Sequence, residues 1–379
     1  MTAAMIPFNH PFLAPQQKEY VLTALETGKL SGDYQFTKDC HQLLEKLVPG
    51  TKAFLTTSCT HALEMSALLL DIKEGDEVII PSFTFVSTVN AFVMRGATPV
   101  FADVRPDTLN IDEKHVAELI TPRTKAVVPV HYAGVACEMT ALKALAQQHG
   151  FAIVEDNAHG LFGKYKGQAL GSFGALATQS FHETKNISCG EGGALLINDE
   201  KLVDRAEILR EKGTNRSAFF QGRVDKYTWV DLGSSYLPSD VLAAMLKAQL
   251  QAQHTIQNKR KKIWETYESK LEPWAEHNQV KLPTIPSDCT QAYHLFYMLL
   301  PHVNHRADFL NHLKQHGIYG TFHYLPLHLS PMGQRFAGQE GQCPVTEDVS
   351  ARLVRLPLFV DLSEQNQSKI TDVINNYTF

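Results

Sequence analysis

The segment SFHETKNISCGEGGAL, Ser180 to Leu195, places one lysine, Lys185, between an apolar run ending at Ser180-Phe181 and a cluster of glycines at 190, 192 and 193. A solvated lysine needs no such setting, and taken alone the segment also reads as a surface turn. Its surroundings are more informative. The runs ALATQSF (Ala175 to Phe181) and GALLI (Gly193 to Ile197) flank it. Upstream, EVIIP (Glu77 to Pro81), TPVFADV (Thr98 to Val104), KAVVPV (Lys125 to Val130) and FAIVEDN (Phe151 to Asn157) alternate with helix-like stretches. Among these are HALEMSALLL from His61 and MTALKALAQQHG, whose Gly150 suits a helix stop. Short β-branched runs alternating with helices predict an α/β fold, a buried and mostly parallel sheet covered on both faces.

With 379 residues, 44% hydrophobic and 20% charged, the chain is expected to form a large α/β unit with an appended domain. The division is placed at residues 1–250 and 251–379. The stretch DVLAAMLKAQLQAQHTIQNKRKKIWETYESKLEP, from Asp240, reads as a long helical connector. Beyond it, strand-like AYHLFYMLL and RLPLF mix with the helical RADFLNHLKQHG, as in a small α+β domain. No apolar run reaches the ~20 residues of a membrane span. MTAAMIPFNHPF has no basic leader followed by a long apolar core, so a cytoplasmic protein is expected. The formal charge of −5 argues against a nucleic-acid surface, and the one basic cluster, Lys259 to Lys262, reads as the solvated face of a helix. Six scattered cysteines without a C-x-x-C pair predict free thiols. His312 and His316 have helical i,i+4 spacing but lack the Glu of H-E-x-x-H, so no metal site is expected.

Phosphate-binding and nucleophile motifs of the P-loop, G-x-G-x-x-G and G-x-S-x-G types are absent. Three other segments each follow or end an expected strand: TTSCTHAL (Thr56 to Leu63), VEDNAHG (Val154 to Gly160) and SFHETK (Ser180 to Lys185). Open parallel sheets bind ligands at the carboxyl ends of their strands, so the three could share one site. Ser58-Cys59-Thr60 offers backbone N–H groups and hydroxyls at the start of a helix, suited to a phosphate, although a plain serine N-cap accounts for it equally. Asp156 closes an apolar strand, where a carboxylate is costly without a positive partner, and a protonated ring nitrogen would supply one. A lysine with a lowered pKa can bond covalently to a carbonyl. Carboxylate, lysine and phosphate cradle are the parts of a pyridoxal 5'-phosphate (PLP) site.

These motifs occur in order with LSGDY (Leu30 to Tyr34), PSFTFVSTVNA (Pro81 to Ala91), GSSYLPSD (Gly233 to Asp240) and FHYLPLHLSP (Phe322 to Pro331). Over nearly its whole length the chain resembles the DegT/DnrJ/EryC1/StrS sugar aminotransferases. The resemblance implies the aspartate aminotransferase (fold type I) architecture, with a seven-stranded, mostly parallel sheet. It makes Lys185 the Schiff-base lysine and Asp156 the partner of the pyridinium nitrogen. Cys59, Thr60 and Ser180 would hold the phosphate, Phe85 would stack on the ring, and His159, where many members carry Gln, would contact the ring hydroxyl. Ser235 stands where relatives reading G-x-N-Y-R-M carry an Asn that serves the neighbouring subunit's phosphate site.

The stretch EKGTNRSAFFQGRVDKYTWVDLGSS (Glu211 to Ser235) is most similar to members that aminate C4 of TDP-4-keto-6-deoxy-D-glucose to give TDP-4-amino-4,6-dideoxy-D-galactose. The implied partners are this sugar nucleotide, L-glutamate and a second copy of the chain. Arg216, Arg223, Lys226 and Tyr227, in a basic and aromatic run, and His323 and Tyr324 are the candidates for substrate contact. C3 amination, a sugar dehydratase with histidine in place of the lysine, and a non-catalytic sugar-nucleotide sensor are the alternatives. Lys185 speaks against the last two.

Overall fold

The computed structural model describes residues 5–379. Met1 to Ala4, the start of the stretch read for a leader, lie outside the described residues. In chain order the first nine strands are β1 (Lys52–Thr56), β2 (Glu77–Pro81), β3 (Thr98–Ala102), β4 (Thr124–Val127), β5 (Ala152–Asp156), β6 (Lys164–Tyr165), β7 (Gln168–Ala169), β8 (Leu176–Ser180) and β9 (Gly193–Ile197). Seven of them form the main sheet in the order β1-β9-β8-β5-β4-β2-β3. Only β9 runs against its neighbours, pairing antiparallel with β1 and β8, while β2 with β3, β2 with β4, β4 with β5 and β5 with β8 pair parallel. β2 and β9 are buried along their whole length, as expected of apolar runs covered on both faces. Gly150 ends the helix Met139–His149 in the left-handed region, the stop its sequence suggested.

Register is what matters for function. Gly193 of β9 lies opposite Thr56 of β1 on one side and Ser180 of β8 on the other, and Asp156 of β5 lies opposite Thr178. The carboxyl ends of β1, β5 and β8 therefore finish at one edge of the sheet, which gathers TTSCTHAL, VEDNAHG and SFHETK at a single place.

The connector is two helices, Asp240–Gln251 and Gln253–His277, joined at Ala252. Lys259 and Lys262 reach solvent and pair with Asp361 and Glu364. Arg260 departs from the solvated reading: it is buried, and its guanidinium donates to the carbonyls of Tyr293 and His294. Helical spacing turns this one residue of the basic cluster inward. Next come β10 (Cys289–Thr290), paired with β6, then β11 (Phe296–Leu299) and β12 (Leu353–Leu356), which pair antiparallel. The expected strand RLPLF falls partly outside β12, which ends at Leu356 because Pro357 has no N–H to donate. Trp264, Tyr267, Phe296 and Phe309 build a second core here. Ile6 joins that core, bridging to Ile318. Among the described residues no helix is long and apolar enough to cross a membrane, and all six cysteines are free thiols.

Candidate active site

A cavity of about 620 Å³ opens at the shared sheet edge. It brings together Cys59, Thr60, Phe85, Asp156, His159, Ser180, Lys185, His323 and Tyr324, nine of the candidates drawn from sequence. Ser235, Arg216, Arg223, Lys226 and Tyr227 line no part of it. They sit on the segment 211–235, which backbone bridges between Glu211 and Ser235 and between Thr214 and Trp229 hold as an exposed excursion of its own.

One wall is the start of the helix Cys59–Leu69. Ser58 caps it by accepting from His61 N at 3.1 Å, so the serine reading as an N-cap holds. The backbone N–H groups of Cys59 and Thr60 remain free of intrahelical acceptors, as the first turn dictates, and meet the cavity at the positive end of the helix dipole. Thr60 Oγ1 lies 2.8 Å from Ser87 Oγ, adding two hydroxyls to the same rim. Close approach of β9 makes this cup: a Cβ built at Gly193 would lie 2.3 Å from the Ser58 carbonyl carbon and 2.4 Å from Cys59 N. Gly193→Ala is therefore expected to displace the helix start. It should lower apoprotein stability by about 1–3 kcal/mol by overpacking and weaken PLP binding, read by thermal melts with and without cofactor.

Asp156 is 5% exposed. Its Oδ2 accepts from Thr88 Oγ1 at 2.7 Å and its Oδ1 from Ala158 N at 3.1 Å. No cationic side chain of the described residues forms an ion pair with it. A buried carboxylate that faces a cavity without a cation fits a ligand that brings its own positive charge. Its neighbour Glu155 points the other way. It bonds His131 Nε2 at 2.9 Å and accepts from the N–H groups of Gly171, Phe173 and Gly174, fixing the turn that leads into β8 and Ser180.

Lys185 sits half-buried in a turn after β8, its N–H donating to His182 O at 2.9 Å. Asn9 Nδ2 holds the neighbouring Glu183 carbonyl at 3.0 Å. Burial lowers the Lys185 pKa from its ordinary 10.5, with Asp156 partly opposing and Arg355 reinforcing the shift. A lowered pKa leaves more neutral amine at any pH below 10.5, and the neutral amine is what attacks an aldehyde. Capture of PLP by the apoprotein is thus expected to rise with pH to a half-maximal rate below pH 10.5, measured as the growth of the visible absorption band. A midpoint at or above the ordinary value would contradict the assignment.

The opposite wall carries imidazoles. His159 stacks on His294 at 4.1 Å between centroids, and His323 Nδ1 lies 3.1 Å from the Tyr132 hydroxyl. Burial, and then the positive charges nearby, hold the pKa values of His159 and His323 well below the usual histidine value, so these rings stay neutral. Nδ1 of His159 is buried without a partner among the described residues, open to a hydroxyl of a ligand. Phe85 is 58% exposed at the rim, an apolar ring open to stacking. Sequence reasoning missed Thr88, Ser87, His294 and Arg355. Thr88 and Ser87 lie inside the quoted PSFTFVSTVNA segment, where the i,i+3 spacing from Phe85 could have placed Thr88 on the same face.

Free helix N–H groups, a carboxylate without a cation, and a lysine biased toward its neutral form together fit PLP, and with the sheet order they define the architecture of a PLP-dependent aminotransferase. The chain belongs to the DegT/DnrJ/EryC1/StrS aminotransferase family, whose profile matches residues 12–375. It is 32% identical to the spore coat polysaccharide biosynthesis protein SpsC of Bacillus subtilis over 98% of this chain and 96% of SpsC. Among solved structures, the aminotransferase TlmJ from Streptoalloteichus hindustanus is 30% identical, with a TM-score of 0.89 and 98% of both chains covered. Spr1654 from Streptococcus pneumoniae, 25% identical over 98% of both chains, superposes with TM-scores of 0.89 in its PLP form and 0.91 in its PMP form. Its cofactor is PLP and its chemistry is sugar amination.

Proposed function

We propose that the protein transfers the amino group of L-glutamate to C4 of TDP-4-keto-6-deoxy-D-glucose, giving TDP-4-amino-4,6-dideoxy-D-galactose. The observation that carries the amino-transfer half of this reading is Lys185 and the unpaired Asp156 facing one cavity. The sugar assignment rests on the resemblance of Glu211 to Ser235 to C4-aminating relatives. Residues 1–250 would form the cofactor-binding domain and 251–379 the connector and small domain.

When bound, PLP supplies an aldehyde that captures amines and a ring that accepts electrons. Cys59 and Thr60 N–H groups, with the Ser180 and Thr60 hydroxyls, would hold its phosphate, and Phe85 would cover one face. Asp156 would keep a proton on the ring nitrogen. Lys185 Nζ would bind the aldehyde at rest, yield to the incoming amine, and then carry a proton from Cα of the amino acid and, in the return half-reaction, to C4 of the sugar. The neutral His159 would bond the ring hydroxyl. The test is NMR of the product formed from glutamate and TDP-4-keto-6-deoxyglucose. An amine on C3, or equatorial rather than axial at C4, would overturn the sugar assignment.

We place the active protein as a cytoplasmic homodimer, with Ser235 serving the partner's phosphate site. Phe220 is 71% and Trp229 75% exposed, large apolar surfaces that a second copy would cover. Arg223 pairs with Asp204 and Glu207 of its own chain, whereas Arg216 reaches Glu211 only at 4.0 Å and packs over the Phe220 ring at 5.4 Å. Arg216→Ala or Lys226→Ala is expected to raise the KM for the sugar nucleotide about tenfold while leaving that for glutamate within twofold. Equal effects on both would remove these residues from the diphosphate. A fully active monomer in the ultracentrifuge would refute the shared site.

A further inference from the structure

Arg260 and His294 are both buried and ionisable, and neither has a task in the reading above. Arg260, on the second connector helix, is 3% exposed and pairs with no acidic side chain among the described residues. Burial pulls its pKa down to about 9. A buried cation without an acid is costly, so what its hydrogen bonds hold is informative. They run to the carbonyls of Tyr293 and His294 and fix the backbone just ahead of β11. The His294 side chain is held by a different residue. Asn186, which follows Lys185, donates from Nδ2 to Ala292 O at 2.7 Å, and its Oδ1 lies 2.9 Å from His294 Nδ1.

The orientation of the Asn186 amide decides the tautomer. With Nδ2 given to Ala292, the oxygen is what faces His294, so Nδ1 of that ring carries its proton. The ring is neutral, because burial, followed by His159, Lys185, Arg260 and His323, holds its pKa well below the usual histidine value. Held this way it lies against His159, with centroids 4.1 Å apart and planes 25° apart. The backbones are packed as well: a Cβ built at Gly134 would lie 2.7 Å from Ala292 Cβ and 3.0 Å from the His159 carbonyl oxygen. The His159 side chain makes no hydrogen bond to the described residues. Rotation of a histidine ring about its Cβ–Cγ bond is broad when nothing restrains it, and here the flat stack on His294 is the restraint that aims Nδ1.

We propose that His294, fixed by Asn186 and Arg260, is a positioning residue that orients His159 toward the ring hydroxyl of PLP and, through it, sets the proton affinity of the link between Lys185 and the cofactor. This rests on the PLP reading and on the assignment of His159 to that hydroxyl. A donor to the ring oxygen draws charge from it and weakens its hold on the proton it shares with the Lys185 nitrogen. Loss of the donor therefore raises the pH at which the visible band of the PLP-loaded protein titrates. The other groups that bear on Lys185 are Cys59, Asp156 and Arg355, and the test leaves all three in place.

The test is a spectrophotometric pH titration of PLP-loaded wild type, His159→Ala, His294→Leu, His294→Phe and the double variant His159→Ala/His294→Leu. His159→Ala is expected to raise the midpoint by about one pH unit, the shift that corresponds to one lost hydrogen bond to a charged group. His294→Leu, with the stack gone, should raise it by about half a unit. His294→Phe keeps a stacked ring and loses the bond to Asn186, so its midpoint should fall between those of wild type and His294→Leu, and it serves if the leucine variant folds poorly. Because His294 acts through His159, the double variant should match His159→Ala within about 0.3 unit. A His294→Leu protein that melts earlier yet titrates like wild type, or a double variant whose shift is the sum of the two single shifts, would overturn the proposal and leave His294 as packing alone. A midpoint unmoved by His159→Ala would overturn it by removing His159 from the ring hydroxyl, and the absence of any visible band in wild type would overturn the PLP reading beneath it.

Discussion

Lys185→Ala is expected to lower transamination by roughly 10⁴-fold or more, the full value of a positioned acid-base group. The variant should still fold, because Lys185 makes no side-chain hydrogen bond or ion pair among the described residues and its turn is held by backbone bonds to His182 and by Asn9. The free N–H groups of the helix start and the Asp156 carboxylate are untouched, so PLP should still bind, noncovalently. Two measurements separate the roles. Borohydride treatment of wild type should fix the cofactor to the peptide carrying Lys185, and in the variant it should fix none. Added methylamine should restore a small part of the activity by supplying an amine that both links and transfers protons. A label on another lysine, or a variant retaining a tenth of the activity, would remove Lys185 from the centre of the chemistry.

The sequence reveals the elements whose patterns are local. β2 and β9 are recovered to the residue from EVIIP and GALLI, and β5 and β8 within one residue at each end, because strands covered on both faces of the sheet read as short, mainly apolar runs. No strand is assigned from sequence to β1: its five residues Lys52–Thr56 begin with a lysine and contain one β-branched side chain, at the end. Its place beside β9 comes from pairing, which no single segment encodes. In the site, Asp156 and Lys185 were legible because a carboxylate ending an apolar strand and a lysine before glycines are costly without a purpose. Thr88 and His294 were not, since their importance arises from partners far away in sequence, Asp156 for the one and Asn186 and His159 for the other. Gly193 reads as one glycine among several, and only the contact across to Ser58 reveals why a side chain is excluded there.

Asp156→Asn is expected to keep PLP while losing about 10²–10³-fold in kcat, the usual cost of removing one preorganised charge from a reacting centre. The substitution is well tolerated by the local bonds. Asn Oδ1 can keep the Ala158 N–H, and its Nδ2 can donate to Thr88 Oγ1, whose own proton then turns to Thr84 Oγ1, 3.0 Å away. The loss therefore reports the charge and not a collapsed site. A second observable has the opposite sign. In the apoprotein the buried carboxylate lacks a cation, so neutralising it should leave the apoprotein's Tm unchanged or raise it. In the holoprotein the carboxylate holds a proton on the ring nitrogen, so the gain in Tm on adding PLP should shrink. A merely structural aspartate would give a lower Tm in both states. A variant with a near-normal rate, or one destabilised equally with and without PLP, would show that Asp156 serves the fold and leave the ring nitrogen without its partner.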